Sequence, residues 1–181
     1  MNILNLYFSS TGNTKKIADK ISETCKNDGH IVRSLRIRKT MEAQFDVLDY
    51  DIVFAGSGVY EWLPGKPVMS LFSKITKTYR EKGFIEQPAQ RRSTKKAVIY
   101  CTYGGTHTGV NEAVPAVKYM GQLFDHLGFE IIGEWYFVGE FHGRFRDFSE
   151  KGKMGDITGR PDEKDLQHLS EMVKGVLRIK G

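Results

Sequence analysis

Short apolar runs alternate with amphipathic segments along the whole chain, and this alternation restricts the fold more than any other feature of the sequence. Two of the runs, 51–55 and 97–101, are almost continuously apolar, as expected of strands that helices cover on both faces. The run 31–38 alternates apolar and polar residues instead, which indicates a strand at a sheet edge. Strands separated by helices pair in parallel, so the sequence predicts an α/β fold.

The amphipathic segments carry apolar residues at three- and four-residue spacing, which predicts helices. Helices are expected over 14–27, from Pro67 to just before Gly83, over 114–127 and over 162–177. Strands are expected over 2–8, 31–38, 51–55, 97–101 and 131–138. No repeat or linker interrupts this series, so we expect one domain over residues 1–181.

Composition and charge exclude several classes of protein. Hydrophobic residues make up 40% of the 181 residues, but no apolar run approaches the roughly 18 residues of a membrane span. No signal-peptide pattern is found at the start, so we expect a cytoplasmic protein. The chain carries 27 Lys and Arg against 22 Asp and Glu. Its densest basic stretch, 91–96, lacks the interleaved aromatic residues of a nucleic-acid site and is interpreted as a solvated loop.

The two cysteines, Cys25 and Cys101, fall in a predicted helix and a predicted strand. Zinc and iron–sulfur sites require closely spaced ligands, which this pair does not provide. We therefore expect neither a metal site nor a disulfide.

The segment 140–160 does not fit the alternation. It contains four glycines and three phenylalanines but no helical or strand period. A loop of this length in a compact domain is usually a lid or an interaction loop, and this one leaves from the carboxyl edge of the sheet. Its side chains His142, Arg144 and Arg146 are candidates to contact an anionic substrate or nucleotide.

The strongest functional signal lies at 7–14, where an apolar strand runs through a hydroxyl-rich turn directly into a helix. Free N–H groups at a helix start, the helix dipole and Ser or Thr hydroxyls together favour a bound anion. The glycine spacing matches neither a nucleoside triphosphate loop nor a dinucleotide loop, so a single phosphate held without a lysine fits better. The alternative is a helix start capped by the side chain of Asn13 or Thr14, with no ligand.

This stretch resembles the FMN phosphate loop of the flavodoxin family, and the order of elements is similar to that family over nearly the whole chain. The resemblance implies a flavodoxin-like three-layer α/β/α sandwich with a five-stranded parallel sheet of order 2-1-3-4-5. The cofactor FMN would lie in the crevice between strands 1 and 3. Its phosphate would be held by Ser9, Ser10, Thr11, Gly12, Asn13 and Thr14.

The loops after strands 3 and 4, at 56–62 and 102–107, are expected to face the same crevice. Glycines permit backbone hydrogen bonds to ring edges, while Tyr60, Trp62 and Tyr103 can stack on a flat ring. In flavodoxins these two loops contact the isoalloxazine ring. The residues that we assign to FMN here are Ser57, Gly58, Val59, Tyr60, Trp62, Thr102, Tyr103, Gly104, Gly105 and His107. Taken singly, each aromatic residue has ordinary packing as its alternative.

His107 is also the candidate catalytic side chain, because histidine titrates near neutrality and can donate a proton to substrate or to reduced flavin. The alternative is a partly exposed loop histidine without a catalytic role.

The resemblance leaves two classes of function open. One is a one-electron carrier between redox proteins, and the other is an enzyme that passes hydride from NAD(P)H through FMN to a quinone-type acceptor. A module that binds flavin only for stability is a third alternative. Carrier flavodoxins are acidic around the flavin and have a Gly-Asp pattern after strand 4, whereas this chain has a formal charge of +5 and lacks that pattern. These departures resemble the flavodoxin-like reductases. The oligomeric state is left open.

Glu61 stands where a carrier flavodoxin has glycine, directly after the stacking aromatic residue. When the peptide at this position turns over beside half-reduced flavin, a residue takes a positive φ, which costs an L residue about 1 kcal/mol or more. We therefore expect Glu61 to resist a positive φ and two-electron reduction to be favoured.

Overall fold

The computed structural model describes residues 1–179 and shows a parallel sheet with helices on both faces. The strands are β1 (Asn2–Phe8), β2 (Ile31–Arg36), β3 (Ile52–Tyr60), β4 (Leu63–Pro64), β5 (Lys96–Tyr103) and β6 (Glu130–Val138). The helices are α1 (Asn13–Asn27), α2 (Lys66–Glu81), α3 (Val114–His126), α4 (Phe148–Lys151) and α5 (Glu163–Leu177). The four predicted helices agree with α1, α2, α3 and α5 to within about two residues, whereas the single-turn helix α4 lies in the segment 140–160, where no helix was predicted.

The sheet has the order β2-β1-β3-β5-β6, and every neighbouring pair in this order is parallel. The two-residue strand β4 pairs antiparallel with the end of β3 and lies off this path. When β4 is set aside, the observed order is the predicted 2-1-3-4-5, and the flavodoxin-like α/β fold is confirmed.

Two apolar cores lie on opposite faces of the sheet. One contains the buried faces of α2 and α3, and the other contains those of α1 and α5. The predicted helix stripes supply both cores, for example through Phe72 and Phe124 on one face and Ile17 and Val173 on the other. The helices therefore fix the sheet from both sides and leave its carboxyl edge to the loops.

Strands β3 and β5 extend further than predicted. Gly56 and the residues after it were expected to form a loop, but β3 continues to Tyr60 and β5 continues to Tyr103. A hairpin joins β3 to β4 through Glu61 and Trp62, which have φ values of 49° and 68°. Two central residues at positive φ match the right-handed twist of the paired strands, as in type I′ turns.

Cys25 and Cys101 are free and buried. Burial raises the pKa of the Cys25 thiol to about 12 and raises the pKa of Cys101 further, so both stay protonated at neutral pH. Within residues 1–179, no helix has the length and apolar character to cross a membrane and no cluster of metal-ligating side chains is found.

Candidate functional site

The turn between β1 and α1 forms a helix start without a side-chain cap. Gly12 is the N-cap residue, and its φ of 112° is a left-handed value that favours glycine. No side chain in the described part of the chain caps α1, and its first turn has no acidic residue. The alternative in which Asn13 or Thr14 caps the helix is therefore wrong. The uncapped N–H groups suit an anion, as the sequence analysis proposed for this turn.

The hydroxyl groups of this turn have different environments. Ser9 is buried, and its Oγ accepts a hydrogen bond from the Gly12 N–H at 3.1 Å, which closes the turn. Ser10 and Thr11 are exposed at its rim. The Ser10 Oγ lies 2.5 Å from the Tyr60 hydroxyl. The structure therefore brings together two predicted site residues, one from the turn after β1 and one from the end of β3.

Thr14 connects the same turn to the end of β5. Its Oγ1 lies 2.8 Å from the Oγ1 of Thr102, and both side chains are buried. Two predicted residues that are 88 positions apart in sequence are thus in direct contact.

Asn13 contacts the segment 140–160. Its Nδ2 donates to the backbone carbonyl of Glu140 at 2.8 Å, and its Oδ1 lies 3.1 Å from Nε2 of His142. The Asn13 side chain is buried in these contacts. Asn13 therefore fastens the start of the segment, a contact that the sequence analysis missed because it crosses 127 residues.

Arg36 was also missed as a neighbour of the turn. Its Nη2 donates to the backbone carbonyl of Ser9 at 2.6 Å, which places a guanidinium beside the proposed phosphate loop. The predicted strand order already placed the ends of strands 1 and 2 side by side, and this adjacency is the signal that could have indicated Arg36.

Some of the predicted site residues at the end of β3 make contacts within the protein, and one is exposed to solvent. The Ser57 hydroxyl donates to the Gly58 carbonyl at 2.7 Å and accepts from the Gly65 N–H at 2.9 Å, so it is used within the protein. Val59 is half-buried and pairs with Pro64 in the hairpin. At the hairpin tip, Trp62 is 61% exposed.

The hairpin overturns the expectation for Glu61. We expected this residue to resist a positive φ, but its φ is 49° and it occupies a central position of the turn. The antiparallel pairing of Tyr60 with Leu63 supports the conformation that glycine would adopt more readily. The steric reason for favouring two-electron reduction is therefore removed.

At the end of β5, Tyr103 is only 7% exposed, and burial raises the pKa of its phenol. Its ring is thus largely packed within the protein, unlike that of Trp62. The next residue, Gly104, lies directly beneath the Phe141 ring, since a Cβ at this position would come within 2.1 Å of that ring. His107 is exposed, and its backbone N–H donates to the Glu112 carboxylate at 2.6 Å.

The segment 140–160 is packed against the loop after β5. Lys153 N–H donates to the Thr106 carbonyl at 2.8 Å, and the buried Ser149 Oγ accepts from the Phe141 N–H at 2.9 Å. The segment contains a short turn at 143–145 and the single-turn helix α4. Its position at the carboxyl edge agrees with the sequence analysis.

Exposed aromatic side chains of this segment form a small cluster. The rings of Phe145 and Phe148 are stacked with centroids 6.0 Å apart and an angle of 22° between their planes. The Arg144 guanidinium lies 4.7 Å from the centroid of Phe145, on the ring face. Both phenylalanines are about half exposed, so the cluster offers stacking surface and positive charge together.

These features fit a phosphate monoester that carries a flat ring. The uncapped start of α1 and the rim hydroxyls suit the phosphate, because an anion requires hydrogen-bond donors. Tyr60, which contacts Ser10 of that turn, and Trp62, at the tip of the same hairpin, offer exposed ring surface. Two grooves of about 480 and 510 Å³ lie elsewhere, along α2 and α3 and beside 85–89, and no predicted site residue lines them.

A family model described as a flavodoxin domain matches residues 4–128 of the chain. The match includes the loops after β1, β3 and β5 and ends before the segment 140–160. A relative from Methanocaldococcus jannaschii, an uncharacterized protein, is 28% identical over 173 residues, which cover 92% of this chain and 91% of the relative.

Solved structures agree with the architecture. Oxidised flavodoxin 1 from Bacillus cereus superposes with a TM-score of 0.68 at 13% identity and covers 99% of this chain and 100% of that protein. A flavone reductase superposes with a TM-score of 0.61 at 11% identity, covering 99% of this chain and 65% of the reductase. At these identities the similarity establishes the fold.

Proposed function

The chain belongs to the flavodoxin family, whose cofactor is FMN, and from this premise we propose that it is an NAD(P)H-dependent reductase of a quinone-type acceptor. FMN supplies the redox chemistry, since its ring accepts a hydride or single electrons. The protein binds the cofactor, orients it and controls access to it. We further propose that residues 1–181 form one cytoplasmic domain.

The phosphate end of FMN is assigned to the turn before α1. The free N–H groups of the first helical turn and the rim hydroxyls of Ser10 and Thr11 act as donors. Arg36, held at the Ser9 carbonyl, adds a positive charge beside them. This assignment keeps the phosphate loop predicted from the sequence and adds one side chain to it.

The ring end of FMN is assigned to the space between the β3–β4 hairpin and the loop after β5. Tyr60 and Trp62 supply exposed ring faces for stacking. The backbone of Gly104 and Gly105, at the end of β5, is assigned to the ring edges. To the exposed side chain of His107, in the loop after β5, we assign the donation of a proton to bound substrate.

The reductase role is supported most by the segment 140–160. It packs on the loop after β5 and presents Phe145, Phe148 and Arg144 at the edge where the flavin is expected. Aromatic faces suit a planar acceptor, and the guanidinium suits the phosphates of a nicotinamide nucleotide. The fold similarity to a flavone reductase is consistent with this role.

The one-electron carrier remains the second candidate, and the conformation of Glu61 is the observation that favours it. Because Glu61 already has a positive φ, the chain has no steric reason to avoid the backbone conformation that carriers use. A reductive titration separates the candidates, since a carrier takes up electrons in two resolved one-electron steps and a hydride acceptor in a single two-electron step.

Turnover tests the proposal directly. The FMN-loaded protein is expected to oxidise NADH or NADPH with a quinone as acceptor, and Phe145→Ser with Phe148→Ser is expected to lower kcat/KM several-fold at unchanged FMN affinity. Tyr119→Ser is the matched control, because Tyr119 is a similarly exposed aromatic residue on α3. Absence of turnover, with fast electron exchange to a ferredoxin-type protein, would replace the reductase by the carrier.

A further inference from the structure

The hydroxyl groups of Thr14 and Thr102 are hydrogen-bonded to each other beside the proposed phosphate site. Their oxygen atoms are 2.8 Å apart, and the residues are 2% and 5% exposed. Thr14 lies in the first turn of α1, whereas Thr102 lies in β5 beneath it. One hydroxyl must donate to the other, and either direction satisfies the distance.

The two hydroxyls carry two hydrogens, and their mutual bond uses only one. Hydroxyls inside helices often donate to the carbonyl four residues earlier, as Ser22 does to Ala18 and Thr76 to Phe72. Among the described residues, the hydroxyls of Thr14 and Thr102 make no hydrogen bond other than the one to each other. The second hydrogen of the pair is therefore available to a ligand.

The charge of a bound phosphate decides which of the two hydroxyls, Thr14 or Thr102, donates to the other. A phosphate monoester offers only acceptors when it is doubly ionised, so it stabilises a Thr14 hydroxyl that donates towards it. Thr14 can donate outward and still satisfy its partner only if Thr102 donates to the Thr14 oxygen. The opposite direction would leave only the oxygen of Thr14 to face an anion.

We propose that Thr102 is a positioning residue that donates to Thr14 Oγ1 and thereby holds the Thr14 hydroxyl as a donor to the phosphate of FMN. Thr102 acts through Thr14 and does not itself contact the phosphate. The inference rests on the proposed phosphate site and adds a buried residue of β5 to it.

The test compares the binding of FMN and of riboflavin, which lacks the phosphate, by quenching of flavin fluorescence. Thr102→Val keeps the shape and removes the hydroxyl, so it is expected to weaken FMN binding about 3- to 10-fold and riboflavin binding less than about 2-fold. Thr102→Ser keeps the donor and is expected to retain FMN affinity. In a Thr14→Val background, Thr102→Val is expected to add no further loss, because its effect passes through Thr14.

Thr24→Val is the matched control. The Thr24 hydroxyl pairs with the Ser170 hydroxyl at 3.1 Å further along α1, so its removal deletes the same kind of contact away from the turn. This variant is expected to leave the ratio of FMN to riboflavin affinity unchanged. Equal losses for both flavins in Thr102→Val, or a full loss in the Thr14→Val background, would overturn the inference. A wild-type protein that binds both flavins equally would instead refute the phosphate site itself.

Discussion

The side-chain amide of Asn13 donates to the backbone carbonyl of Glu140 at 2.8 Å, and this contact fastens the segment 140–160 to the start of α1. Asn13→Ala leaves that carbonyl without its donor, at a cost of about 1–3 kcal/mol. We expect faster amide hydrogen exchange across 139–160, with β1 and β3 unaffected. Asn27→Ala, at the exposed end of the same helix, is the control. Unchanged exchange in the segment would show that Asn13 does not hold it.

Gly104 lies against the Phe141 ring, and Gly104→Ala would place a Cβ within 2.1 Å of that ring. The ring must move, so we expect the free energy of unfolding to fall by about 1–3 kcal/mol in denaturant titrations. Gly175→Ala is expected to act in the opposite sense, with a gain of about 0.5–1 kcal/mol, because this position in α5 has open space around it. A loss of similar size at both positions would contradict the proposed contact.

Trp62 has an exposed ring and a backbone φ of 68°, and neither feature stabilises the fold. Strained residues of this kind are concentrated at ligand sites, so we expect Trp62 to bind the flavin. Trp62→Gly relieves the backbone and is expected to leave the apoprotein as stable or up to about 1 kcal/mol more stable. Flavin binding should weaken by about 1 kcal/mol, for FMN and riboflavin alike, because a stacking face is lost. Glu61→Gly relieves the same turn and keeps the ring, so it should bind flavin normally. Normal binding by Trp62→Gly would remove Trp62 from the site.

Much of this fold follows from local patterns in the sequence. Apolar spacing locates the four long helices, and continuous apolar runs identify β3 and β5 as central strands. The phosphate loop is also local, since strand, hydroxyl-rich turn and helix follow one another within a dozen residues. These features depend on neighbours along the chain, and sequence reasoning is strongest for such features.

The hairpin at Glu61 and Trp62 was not predicted, because neither residue is among those that favour positive φ. The extension of β3 was missed because Gly56 suggests a loop, whereas its lack of a Cβ makes room for the Tyr100 ring. Asn13 with His142 is a similar case, since these partners are 129 residues apart. Contacts of this kind depend on the tertiary arrangement, which no local pattern specifies.

Thr11 stands exposed at the rim of the turn, where its hydroxyl is expected to donate to the phosphate of FMN. Thr11→Ala should weaken FMN binding by about 1–3 kcal/mol, because a charged group loses one donor. Riboflavin binding should hardly change, and both affinities can be measured by fluorescence titration. If both flavins lose equal affinity, Thr11 shapes the loop without contacting phosphate.

Identification of the flavin tests the central claim, that this family member holds FMN through the turn before α1. The purified protein is denatured, the released flavin is identified by chromatography and mass, and the apoprotein is titrated with FMN and with riboflavin. The account predicts a yellow protein that releases FMN and whose apoprotein binds FMN more tightly than riboflavin. A colourless protein that takes up neither flavin would contradict it.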